Sequence, residues 1–345
     1  MEPTLYPNLG LEASSDDWIE IPFEVELGLD GYRVDRFLQV RIGRLSRTRI
    51  QAIIANGQLR FRDGDWIRRP STRVRAGDRL VLRRPAPDEP PVPMVYREIY
   101  RDPALLVIDK PAGLPVHPTA RYHRHTLTAL MKTTLGEGHG WQMAHRIDRE
   151  TSGVLVFGQG AAQRSRREPP SGAGKLKRSF ARREVDKEYL AIAKGRLLDP
   201  ATIDIPLAFD PNSTIKIKMG AVEERDGGLP AQTFVEPLAV STYREEPVTL
   251  VRCKPRTGRQ HQIRVHLALH GFPLLGDKMY GVDEQLFRDM ADGLLTMDEV
   301  SAAVGLERQA LHARAIELPH PATDARVRFE APWPSALAAI VGLPD

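Results

Sequence analysis

The segment His145-Arg146-Ile147-Asp148-Arg149-Glu150-Thr151-Ser152-Gly153 runs without a break into Val154-Leu155-Val156-Phe157. A stretch crowded with charges and hydroxyls thus meets four consecutive apolar residues. The apolar run reads as a buried strand, and the polar segment as a loop at its entrance. A carboxylate placed there, Asp148, is partly desolvated and flanked by Arg146 and Arg149. Opposite charges hold such a carboxylate ionised, while desolvation makes it more reactive than an exposed one. Local physics leaves two readings open, a reactive carboxylate or half of a structural ion pair. The second is the commoner fate of neighbouring Asp and Arg.

Outward from this segment, Leu105–Ile108, Tyr189–Ala193, Ile215–Met219 and Val248–Arg252 also read as strands. No regular alternation of strand and long helix connects them. This argues against a doubly wound sheet and predicts an α+β domain around a largely antiparallel sheet, over residues 96–345. One segment fits both periods. Ile263 and Leu267 lie four apart, with Gly271 as a stop, whereas Ile263, Val265, Leu267 and Leu269 alternate. Residues 283–309 read as helical, with no role derivable from sequence. The region contains no internal repeat, Gly-rich phosphate loop or metal-spaced Cys/His cluster.

The N-terminal third has a different character. Residues 31–84 carry fifteen arginines, no lysine and four aspartates, a net charge of +11, although the whole chain is only +4. Such a block attracts phosphate backbones, and the arginine fork suits them; a solvated basic face is the plainer alternative. Val34, Phe37, Leu38 and Ile42 share one helix face. Ser46 caps a second helix with Ile50, Ile53 and Ile54 inward, Arg47 and Arg49 outward, and Asn56-Gly57 at its end. Leu59 and Phe61 alternate with polar residues before the Asp63-Gly64 turn, and Val74 and Leu80–Leu82 suggest further strands. Residues 21–84 are therefore expected to form a small α+β module. Its candidate RNA-binding face comprises Arg33 and Arg36 on the first helix with Arg47 and Arg49 on the second.

A Pro-rich linker over 85–95 follows, expected to be extended and semi-rigid. Residues 1–20 form an acidic leader, expected to be disordered. The first thirty residues hold eight acids and no Lys or Arg, which excludes a targeting peptide. No apolar run approaches membrane-spanning length. The single cysteine, Cys253, cannot form an internal disulfide. A reducing cytoplasmic setting and a soluble chain are expected. Nothing in the pattern demands more than a monomer.

HRIDRETSG, at residues 145–153, resembles the catalytic signature of the RluA-type RNA pseudouridine synthases, with Ile147 where that family commonly has leucine. VIDKPAGLPVHP at 107–118, KEYLA at 187–191, TGRQHQIRVHLALHGFPLLGDKMYG at 257–281 and LHA at 311–313 resemble further motifs of the family, in family order. RVDRFL, LSRTRIQAIIANGQL and RVRAGDRLVL, within 33–82, resemble the small RNA-binding domain shared with a ribosomal small-subunit protein.

The resemblance implies isomerisation of uridine to pseudouridine in structured RNA, large-subunit ribosomal RNA foremost. Asp148 is then the catalytic carboxylate, attacking the anomeric carbon or acting as a base on the ribose. Arg264 corresponds to the arginine paired with it. A bidentate pair would orient Asp148 and keep it ionised. Tyr189 corresponds to the tyrosine that stacks on the target base, a contact worth about 1–3 kcal/mol. Arg146 corresponds to the residue that fills the stack when uridine flips out. His145 is placed beside it against the RNA and, like His117, is expected to be a hydrogen-bonded support. Lys110, Pro111 and Gly113 shape a turn near the cleft. No cofactor or metal is expected, since the reaction has no redox or external group-transfer step. Eight basic residues within 164–183 form either an RNA clamp or a solvated loop.

Overall fold

A computed structural model describes residues 18–342, except 44, 86–88, 120 and 161–170. The chain divides into two compact units, with the boundary at Asp88–Glu89.

The smaller unit contains β1 (Trp18–Glu24), α1 (Val34–Arg41), α2 (Arg47–Ala55), β2 (Leu59–Phe61), β3 (Trp66–Ile67) and β4 (Arg79–Pro85). Its sheet is antiparallel in the order β1-β4-β2-β3. Val34, Phe37 and Leu38 of α1 meet Ile50 and Ile54 of α2 over Leu59, Leu80 and Leu82. Ser46 Oγ accepts the Arg49 amide and starts α2, as its sequence position predicts. Two expectations need correction. β1 begins at Trp18, so residues 18–20 are strand; the rest of the acidic leader lies outside the described residues. Val74 is buried but belongs to no strand. Its amide and carbonyl instead bond Tyr32 and Gly31, closing a loop against the start of α1.

The larger unit contains β5 (Arg97–Arg101), β6 (Leu105–Lys110), α3 (Leu127–Leu135), β7 (Trp141–Met143), β8 (Ser152–Gln159), α4 (Gly172–Ala181) and β9 (Asp186–Lys194). There follow β10 (Ala201–Asp204), β11 (Leu207–Phe209), β12 (Met219–Ala221), β13 (Gln232–Tyr243), β14 (Glu246–Pro255), α5 (Gln262–Leu269), α6 (Glu284–Ala291) and α7 (Met297–Val304). The unit ends with β15 (Leu311–Pro319), β16 (Arg326–Glu330) and α8 (Ser335–Val341). The main sheet has ten strands and runs β10-β13-β14-β9-β15-β8-β6-β5, with β16 beside β15 and β7 beside β8. Among the described residues, only the β15–β8 pair of this sheet is parallel. This is the expected α+β architecture with a largely antiparallel sheet.

Both faces of the sheet's centre are covered, which explains the unbroken apolar run of β8. Val154 and Val156 face a core with Leu176 of α4, and Leu155 and Phe157 face one with Leu127 and Leu130 of α3. Burying each such side chain contributes about 1.5–3 kcal/mol, so neither face can be polar without loss. Ile215–Met219 is not the expected strand. Only Met219 enters β12, while Ile215 is buried in a turn that packs with Val265 and Tyr280. The linker segment 89–95 is held against the larger unit. Glu89 accepts the amides of Arg124 and His125, and Met94 is buried in the α3 core. Among the described residues, no helix is long and apolar enough to cross a membrane.

Candidate active site

The loop 145–151 enters β8 at the parallel β8–β15 junction, where Ser152 and Gly153 pair with His312 and Ala313. Gly153 has φ +108°, and a Cβ there would lie 2.2 Å from the Ala313 carbonyl oxygen. Only glycine permits this approach. The loop is fastened at each residue after Asp148. Lys110 Nζ and the Gly113 amide both donate to the Arg149 carbonyl, at 3.0 and 2.8 Å. Lys278 Nζ bonds both Glu150 carboxylate oxygens at 2.8 and 2.7 Å, and Gln309 Nε2 donates to Thr151 Oγ1 at 2.7 Å.

Asp148 borders a cleft of about 670 Å³. Its Oδ2 accepts a 2.9 Å bond from Arg264 Nη1. Burial is the strongest single influence and raises the Asp148 pKa, but the charge of Arg264, that of His261 and the hydrogen bonds from Arg264 and Gln309 together hold the carboxyl below its ordinary range. The pairing of Asp148 with Arg264 is as expected from the motifs, but its geometry differs. The bidentate edge of Arg264 faces Asp277, with Nε–Oδ2 at 2.7 Å and Nη2–Oδ1 at 2.9 Å, leaving a single bond for Asp148. Arg264 lies in the first turn of α5, so the segment with two periodicities is a helix. It is buried on both sides, with Ile263 and Leu267 in one core and Val265 in another. The loop before it is locked by Gln262, which accepts from Thr257 Oγ1 and the Arg259 amide and donates to the Gln232 carbonyl and Thr233 Oγ1.

Tyr189 on β9 lines the same cleft. Burial and then the Asp148 charge push its phenol pKa up, so it stays neutral, as a stacking or hydrogen-bonding group must. Beside it β15 is bulged, with Ala313 opposite Tyr189 but Ala315 opposite Glu188. Bulges re-aim side chains in this way.

Arg146 is exposed at the cleft, joined there by Arg183, Lys187, Arg256 and Arg259. The cleft wall is therefore basic. His145 also borders it, yet its Nε2 is occupied by the Val156 amide and its ring stacks on Phe180 of α4 at 4.9 Å. Burial and then Lys187 pull its pKa down to about 3. A neutral imidazole bonded and stacked in this way, at the cleft wall, fits the expected hydrogen-bonded support. Residues 172–181 of the basic stretch are helix α4, capped by Ser171, rather than loop. Arg164, Arg166 and Arg167 fall outside the described residues.

In the smaller unit, Arg33 forks onto buried Asp35 at 3.1 and 3.0 Å, Arg47 approaches the same carboxylate at 3.5 Å, and Gln51 donates to it at 2.9 Å. Burial opposes this, but Arg33 and Gln51 bring the Asp35 pKa down to about 2. Arg36 and Arg49 are exposed on the same two helices.

Sequence reasoning missed Asp277, Tyr280 and His261. Tyr280 packs over Arg264 at 5.0 Å and bonds His261 Nδ1 at 2.9 Å. His261 sits in the left-handed region at φ 55°, as a strained residue at the start of α5. A signal for Asp277 existed, since an aspartate within the apolar stretch FPLLGDKMYG needs a cation when buried.

Residues 104–269 match a family model described as RNA pseudouridylate synthase. The chain is 32% identical to the ribosomal large subunit pseudouridine synthase D of Zymomonas mobilis, with 88% of this chain and 91% of that protein aligned. It is 34% identical to the Pseudomonas aeruginosa protein of the same name, over 94% of each. Among solved structures, Human RNA Pseudouridylate Synthase Domain Containing 1 superposes with a TM-score of 0.54 at 25% identity. It covers 73% of this chain and 90% of its own.

Proposed function

The chain belongs to the RNA pseudouridylate synthase family, and on that premise we propose that it isomerises chosen uridines of large-subunit ribosomal RNA with Asp148 as the catalytic carboxylate. The observation that carries this reading is the cleft itself. It holds an ionised carboxylate fixed by a buried guanidinium, a neutral tyrosine beside it and a rim of cations. In the reaction the C1′–N1 bond of uridine breaks, the base turns, C1′–C5 forms, C5 loses its proton and N1 gains one. Asp148 serves either by attacking C1′, as the nucleophile of a retaining glycosidase does, or by taking a ribose proton to give a glycal. Tyr189 supplies a face for the flipped base, and Arg146 fills the vacated stack and contacts phosphate.

The basic residues Arg33, Arg36, Arg47 and Arg49 of the smaller unit form the face that holds folded RNA. Asp35 fixes Arg33 and Arg47 in place, while Arg36 and Arg49 project from the same helices. The names of the relatives support ribosomal RNA as the substrate. The enzyme acts in the cytoplasm as a monomer, without metal or cofactor.

The test is a transcriptome-wide pseudouridine map by carbodiimide labelling. Cells lacking the gene are compared after complementation with wild type or Asp148→Asn. Specific sites in large-subunit ribosomal RNA are expected to vanish in the deletion and return only with wild type. Sites restored by Asp148→Asn would remove that residue from the mechanism. A map unchanged by deletion would instead make the chain a binding factor.

A further inference from the structure

Arg264 serves two carboxylates unequally. The side-on edge of its guanidinium, Nε and Nη2, lies on Asp277, and only the Nη1 corner reaches Asp148. We propose that Asp277 is a positioning residue for the isomerisation, acting through Arg264 to aim and limit its contact with Asp148. This inference rests on the reading of Asp148 given above.

Three observations lead to it. A guanidinium offered one carboxylate takes it through two parallel bonds, the strongest and most symmetric arrangement. A forked contact of that kind would cover both Asp148 oxygens and lower their reactivity. Asp277 prevents this by occupying the fork. Second, Asp277 cannot follow Arg264 if the arginine moves. Its side chain is fully buried, and its Oδ1 also accepts the amides of Met279 and Tyr280 at 2.9 and 3.1 Å. Third, the other side of the guanidinium is closed by the Tyr280 ring. The Tyr280 hydroxyl is held in turn by the Met219 amide and His261 Nδ1, both at 2.9 Å. Arg264 thus has one fixed orientation, and that orientation presents a single donor to Asp148. A purely structural ion pair between Arg264 and Asp277 would not require the third corner to meet a group on the cleft wall.

The test measures tritium release from large-subunit ribosomal RNA carrying [5-³H]uridine, isolated from cells lacking the gene. Release counts turnovers, because C5 loses its hydrogen when it joins the ribose. Asp277→Asn, Asp277→Glu and Asp148→Asn are compared with wild type for kcat, KM and melting temperature. Asp277→Asn is expected to lower kcat by about a hundredfold, the scale of a misplaced reacting group, with KM within about twofold. Asp277→Glu keeps the charge but shifts the fork, and is expected to recover part of the loss. Folded Asp277 variants with wild-type kcat would overturn the proposal. So would kcat and KM worsening together, or failure of both variants to fold, which would make the residue structural. Turnover by Asp148→Asn would overturn the reading of Asp148 and this inference with it. A dead Asp148→Asn beside a wild-type-like Asp277→Asn would overturn this inference alone.

Discussion

Lys110 sits fully buried in the sheet, where its ammonium replaces water with three carbonyls. Its Nζ donates to Pro111, Leu114 and Arg149 at 2.7, 2.9 and 3.0 Å. Burial and then the charge of Arg308 pull its pKa down to about 7, against the opposing pull of Asp148 and Asp109. The motif around Lys110 was legible as a shaping turn, and the structure shows what it shapes, the backbone one residue beyond Asp148. Lys110→Met keeps the volume of the stem and leaves the carbonyls unpaired. It is expected to cost about 1–3 kcal/mol in urea denaturation, with a matching loss of turnover. A Met variant as stable and active as wild type would show that the carbonyls do not need the lysine. Asp148, Arg264 and Tyr189 were legible at this scale because each stands in an ordered motif. Asp277 was not recognised, because its importance lies in a partner thirteen residues away whose direction only the fold establishes.

At the scale of elements, the parallel contact between β8 and β15 brings the signature loop to the cleft. Gly153 permits it, since a Cβ there would also lie 2.8 Å from the Ala313 amide nitrogen and carbonyl carbon. Gly153→Ala combines that clash with a positive φ. It is expected to destabilise the protein by at least about 3 kcal/mol, seen as a lower melting temperature or loss of soluble protein. A near-neutral Gly153→Ala would mean that β8 and β15 can part without consequence. Strand β8 could be read from its apolar run and α2 from its cap. Helix α5 could not be settled, because its apolar residues satisfy both periods. The Gln262 hydrogen bonds and burial on two sides decide for helix. Ile215–Met219 had strand-like alternation, but among the described residues only Met219 pairs with a strand, β11, and Ile215 lies in a packed turn.

Across the whole molecule, the buried histidines belong to the larger unit and set its response to acid. His145 is held at about pKa 3, and His261 and His312 at about 4, burial being the largest cause for each. In the unfolded chain they would titrate near 6.5. Between these values the unfolded state binds more protons than the native one, so stability falls as pH drops below about 6.5. Asp148 and Asp277, both held below the ordinary carboxylate range, extend the loss in the same direction at lower pH. The melting temperature is therefore expected to decline steadily from pH 7 towards pH 4. A flat profile over that interval would contradict the burial of these imidazoles.

The sequence by itself determined the fold class and the family, and it singled out Asp148, Arg264 and Tyr189 as candidates, which the structure brings to one cleft. Those properties reside in local periodicity and in ordered motifs, which survive without coordinates. The tertiary structure alone decided that Arg264 forks onto Asp277, that His145 stacks on Phe180 at the cleft wall, and that α5 is a helix. Each of these depends on which groups meet across long sequence separations in a buried site. There, geometry and desolvation, rather than residue type, choose the partner.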